Sequence, residues 1–184
     1  MSDWMPSRVF APVNRRFAWR LLLPMLPITG ISGVGALPNL WKNIAPAIEA
    51  WVGGAAAHNL QPYFATSFVF SALGVIFFTM ILSRQVDIQL VYFAGRTSFA
   101  LSFLWFVCAV MSLLPHSLMD LHRVFIVIVV VATVLSQFVG DGTIRYYWRN
   151  GHYGDFGTEV VFIATYLAFA WPPLHFALTG GNLP

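Results

Sequence analysis

Charge is the scarcest commodity in this chain. Asp, Glu, Lys and Arg together make up 9% of its 184 residues, where a soluble globular domain carries roughly 25%. So few charges cannot cover a water-facing surface, which excludes an ordinary soluble enzyme and calls for a hydrocarbon solvent instead. Cysteine is nearly absent: Cys108 is the single one, inside the apolar run FLWFVCAVM, so there is no disulfide framework and no CxxC metal or redox motif. No HExxH and no repeated HxxxH occurs. No internal repeat is visible either, which argues against a transporter built from two inverted halves. The net charge of +3 comes from scattered arginines rather than a basic patch, and nucleic acid is not an expected partner.

What the chain has is apolar and aromatic. Hydrophobic residues reach 58% and aromatics 16%, with seven Trp, as expected of a protein with two interfacial aromatic belts. The stretch His122–Trp148 sets the pattern. From Val124 to Leu135 every residue but Thr133 is apolar. Gln137, Asp141 and Arg145 follow at intervals of four, and then Tyr146, Tyr147, Trp148 and Arg149. An apolar run bordered by basic and aromatic residues reads as a membrane-crossing helix.

The expected fold is therefore all-α: a single polytopic bundle over 1–184, with about five transmembrane helices at 20–41, 63–83, 97–115, 123–144 and 157–179. Residues 1–19 carry Arg8, Arg15 and Arg16 against Asp3 and read as a cytoplasmic arm. A basic lead into Leu21–Leu23 also resembles a signal peptide, with Val34-Gly35-Ala36 as its cleavage site, and Arg15-Arg16 resembles a twin-arginine signal. The first span holds Pro24, Pro27, Gly30, Gly33, Gly35 and Pro38. Interior prolines remove backbone donors and crowd preceding carbonyls, so this helix is expected to be broken, with a pocket beside it. In 42–62, Ile44, Ala47, Ile48 and Trp51 share one helical face, which predicts an amphipathic interfacial helix. Arg84, Asp87 and Arg96 read as a loop or a helical extension between spans two and three.

Charge sets the orientation. With the N-terminus inside, Arg8, Arg15, Arg16, Arg20, Arg84, Arg96, Arg145 and Arg149 share the cytoplasmic side, against Lys42 and Arg123 opposite. That bias follows the positive-inside rule. It predicts a protein of the inner cell membrane with its C-terminus on the far side.

Two groups of polar residues are candidates for chemistry. Near the inner border, Gln137, Asp141 and Arg145 share a face of span four and Glu159 opens span five. Ionisable groups at membrane depth are functional candidates, and a carboxylate there can be tuned as a general acid or base, so these four are the candidate catalytic residues. The competing reading is an ion pair that ties the hairpin together. On the outer side, His116, Asp120 and His122 could ligate a metal ion. His122 and His175 could hold haem or pigment. The competing reading there is interfacial histidines in contact with water or headgroups.

The order Gln137-x-x-Gly140-Asp141, followed by Tyr166 and Trp171 on the next span, looks like the last two helices of the EXPERA group, the emopamil-binding-protein type sterol isomerases. That resemblance covers about a quarter of the chain. It implies a lipid-filled cavity with histidine and acidic residues on earlier helices, and residues 63–83 supply neither.

The expectation from the sequence is a small membrane protein whose intramembrane cavity binds or transforms a lipophilic molecule: an isoprenoid, sterol-like compound, quinone or lipid. The alternative is an accessory haem- or pigment-binding subunit of a larger respiratory or photosynthetic complex. A transporter or channel ranks third, because no polar stripe crosses the bilayer centre.

Overall fold

The computed structural model describes residues 15–52, 54–84, 89–113, 118–136, 138, 148–149, 151 and 153–179. Among the described residues six helices follow one another: α1 Arg15–Ala36, α2 Pro38–Val52, α3 Gly54–Leu82, α4 Gln89–Met111, α5 Met119–Ser136 and α6 Tyr153–Thr179. No strand occurs among the described residues. Leu60–Leu82, Leu90–Met111 and Phe156–Thr179, of 22 to 24 residues, are long and apolar enough to cross a membrane. At 1.5 Å per residue they reach about 33–36 Å, against a hydrocarbon core of about 30 Å. The α1–α2 pair qualifies as a fourth span if its two helices count as one. Helix α5 is described only to Ser136. Its apolar run Val124–Leu135 is about 18 Å long, and the rest of the span expected at 123–144, apart from Phe138, lies outside the described residues.

The break in the first span falls elsewhere than the interior prolines suggest. Pro24 and Pro27 sit inside a continuous α1, both on its exposed side. The chain turns at Leu37 instead, where α1 and α2 meet at 84°. Leu37 precedes Pro38, whose ring pushes the preceding residue out of the α region, while Pro38 itself suits the first position of a new helix. Backbone hydrogen bonds continue through the corner, from Leu37 N to Gly33 O at 3.2 Å and from Trp41 N to Leu37 O at 2.8 Å. Two backbone hydrogen bonds thus persist across a tight elbow, which limits the unpaired polar backbone there.

Helix α2 has three faces rather than the expected two. Trp41 is buried, and Ala45 and Ile48 pack against the core. Leu40, Ile44, Ala47 and Trp51 form an exposed apolar face, with Trp51 at 81%. Asn39, Lys42 and Asn43 are exposed on the third face. The stripe expected at Ile44, Ala47, Ile48 and Trp51 is thus divided, with Ile48 alone turned to the bundle. The helical region also resumes sooner than expected: α3 already starts at Gly54 and carries Pro62 within it.

Helices α1, α3 and α4 run antiparallel in sequence, and hydroxyls bridge all three. Ser67 Oγ of α3 donates to the Ser102 carbonyl of α4 at 3.0 Å. The Ser32 hydroxyl of α1 lies 2.9 Å from Ser67 Oγ and so must be the donor there. Small residues allow this approach, since lipid supplies no hydrophobic force to press helices together. A Cβ on Gly74 would run into the Met25 side chain, and one on Gly35 would lie 2.5 Å from the Phe64 ring. Helix α4 is the most enclosed of the three long spans. It packs against α1 and α3 on one side and α5 and α6 on the other.

Candidate functional site

The centre of interest lies on the second side of α4. Gly95 lets the Phe78 ring of α3 press on the α4 backbone, where an added Cβ would be 2.9 Å from it. The next residue, Arg96, is turned about 100° further round, toward α6. There its Nη2 meets Glu159 Oε2 at 2.7 Å. Glu159 is 1% exposed and Arg96 28%, and the guanidinium also lies over the Phe93 ring, 5.0 Å from its centroid. Burying a carboxylate in an apolar interior is costly unless it is paired. Arg96 supplies the pairing charge and Phe93 covers one face of it.

A cleft opens beside this ion pair. Its walls are Arg96, Thr97 and Ala100 of α4, Thr133 and Val134 of α5, and Phe162, Ile163 and Tyr166 of α6. On α4 and on α6 these residues are spaced i, i+1, i+4, which places each set on one helical face. The space that a water-sized sphere can occupy is about 30 Å³, room for about two waters. Three hydroxyls line it. Tyr166 is 4% exposed, and its phenol oxygen lies near Thr133 but outside hydrogen-bonding geometry. The site therefore combines an internally neutralised ion pair, hydroxyl groups and apolar walls. That combination can orient a polar head within an apolar surrounding.

The structure treats the candidate residues unequally. Glu159 lies beside the cleft, paired with Arg96. Gln137, Asp141, Arg145 and His116 lie outside the described residues. The cleft is walled by α4, α5 and α6 and is not beside α1, where the proline-rich span led us to expect a pocket. On the other end of the bundle, His122 is 2% exposed, its ring centroid is 5.8 Å from that of Phe176, and its Nε2 has no hydrogen-bond partner. His175 is exposed and lies against Trp171, centroids 5.7 Å apart. Consecutive helical residues diverge by about 100°, so α6 turns Phe176 toward His122 and His175 away from it. These two histidines do not face a common ligand. Asp120 is 95% exposed and pairs with Arg123 at 3.4 Å, whereas His122 points inward. Among the described residues no three His, Cys, Asp or Glu side chains are grouped to hold a metal ion.

Sequence reasoning missed Arg96, placing it in or near a loop, and passed over Thr97 and Thr133 as site residues. One signal was present: Thr133 is the lone polar residue in the run from Val124 to Leu135. Comparison with protein-family models, curated proteins and solved structures finds no match.

Proposed function

We propose that this chain is a small integral membrane protein that binds or transforms a lipophilic small molecule at the Arg96–Glu159 cleft. The single observation that carries this reading is an apolar cleft between three helices onto which three hydroxyls and Arg96, the half-buried partner of Glu159, open. Polar groups held at membrane depth are expensive and tend to be functional, and convergent polar groups in an apolar wall are the usual makeup of a small-molecule site.

In this reading the bundle has five spans, with α5 continued beyond Ser136 as the fourth. Helix α2 lies along the membrane surface: its exposed apolar face meets the acyl boundary, Lys42 faces water, and its buried face holds the bundle. The N-terminus is cytoplasmic and the C-terminus is on the opposite side of the inner membrane. Arg96 belongs to a span and leaves the charge tally, so Arg8, Arg15, Arg16, Arg20, Arg84, Arg145 and Arg149 stand against Lys42 and Arg123, and the bias persists.

The second reading, a haem- or pigment-binding subunit of a larger complex, is favoured by the buried Nε2 of His122, which lacks a partner. One preparation separates the two. After purification in mild detergent, mass spectrometry should find a retained lipophilic compound, absent from the Arg96→Met protein, and the visible spectrum should be flat. A Soret or pigment band lost in His122→Ala would replace the first reading with the second.

A further inference from the structure

The dimensions and charge of the cleft say more about its ligand than that it is lipophilic. Resting on the function proposed above, we infer that the ligand is a neutral, carbonyl-headed lipid that enters head first and leaves its tail in the bilayer. Three observations lead there.

The first is volume. Sites that enclose a whole drug-sized molecule have roughly 300–1,000 Å³, and this one has about 30 Å³. A sterol or an isoprenoid cannot be swallowed whole. One polar group with its adjoining carbon can, provided the remainder stays outside. The neighbouring residues suit that arrangement, because Val131 and Leu135 of α5 and Leu167 of α6 are exposed apolar side chains next to the wall residues. A tail can lie along them.

The second is charge. Arg96 and Glu159 neutralise each other at 2.7 Å. Arg96 is the charged residue on the cleft wall, and because Glu159 already offsets it, a charged head of either sign would leave a net charge in an apolar interior, which is penalised. A neutral head adds no charge.

The third is hydrogen-bond polarity. The Tyr166 hydroxyl is buried without a partner in proper geometry, and a guanidinium has five N–H groups and no lone pair to offer. The threonine hydroxyls of a helix commonly turn to their own backbone carbonyls. The unmet need is thus for an acceptor, and a carbonyl oxygen accepts two hydrogen bonds while bringing no proton that must itself be placed.

Three probes with a common tail test the head alone: methyl oleate, oleate and oleyl alcohol. Each is added to the delipidated full-length protein in detergent, and bound adducts are counted by native mass spectrometry across a concentration series. Methyl oleate should bind best. Tyr166→Phe, which keeps the ring and should leave the melting temperature unchanged, should weaken methyl oleate about five- to tenfold, the loss of one hydrogen bond. Thr133→Val reports on the neighbouring wall and should have the smaller effect. Tightest binding by oleate or by the alcohol overturns the carbonyl assignment and leaves the site standing. Undiminished methyl oleate binding by Tyr166→Phe overturns the contact on which the inference rests. If none of the three binds and the purified protein retains no lipid, the function proposed above falls with it.

Discussion

The Arg96–Glu159 pair can be tested as a pair. Glu159 is almost wholly enclosed while Arg96 keeps 28% exposure, so removing either partner should have unequal effects. Arg96→Met leaves a carboxylate in an apolar interior. Breaking a buried pair that way costs ~3–5 kcal/mol, and the partial exposure of Arg96 places this case near the lower end, at ~3 kcal/mol. Glu159→Met leaves a guanidinium that can extend toward the water it already touches, at a cost of ~1–2 kcal/mol. The double substitution replaces two charges by two apolar chains of similar length, which is often close to neutral. The cycle should therefore give a coupling of ~4–5 kcal/mol, close to the sum of the two single losses. In thermal unfolding in mild detergent, Arg96→Met should lower the midpoint by roughly 5–10 °C, Glu159→Met by less, and the double variant should recover most of the loss. If the double variant melts as low as the two single losses added together, the side chains act independently and no ion pair organises this wall.

Two further perturbations probe the frame that holds the site. Pro38→Ala removes the ring that excludes Leu37 from the α region; spin labels at Val34 and Trp51 in a Cys108→Ser background should then move toward the ~26 Å spacing of a straight helix, and an unchanged distance would assign the elbow to packing of α2 on α3 instead. Gly74→Val should drive α3 away from Met25 and destabilise the bundle by ~1–3 kcal/mol, with partial rescue by Met25→Ala in the same melting assay; a harmless Gly74→Val would contradict the close approach of α1 and α3.

Much of this architecture could be read from composition and local pattern, because solvent preference is a property that each segment carries by itself. Too few charges to face water, with apolar runs of span length, point to an all-helical chain with membrane-length segments. Among the described residues three helices meet that length and apolarity, and a fourth span is reached if the bent α1–α2 pair counts as one. The acidic residue near the head of the last helix was legible too, since Glu159 is the last charge before an uncharged run. Its role was less so. Arg96 stands 63 residues away, and its own surroundings, RQVDIQLVYFAGR, read as well for a loop as for a helix.

The elbow gives the same lesson. Six prolines and glycines between Pro24 and Pro38 signal an interrupted helix without saying which one interrupts it. A proline ring weakens the helix wherever it sits, but outward-facing Pro24 and Pro27 can be tolerated, whereas at Pro38 a new helix can start and find a surface on α3. By itself, then, the sequence determined that the chain is helical, with segments long and apolar enough to cross a membrane, and roughly where those helices lie, since both follow from the side chains of a single segment. Only the tertiary structure decided that Arg96 meets Glu159, that Thr133 and Tyr166 share their cleft, and that His122 and His175 face apart. Those are relations between helices, set by where glycines and serines let backbones approach, and no single segment contains them.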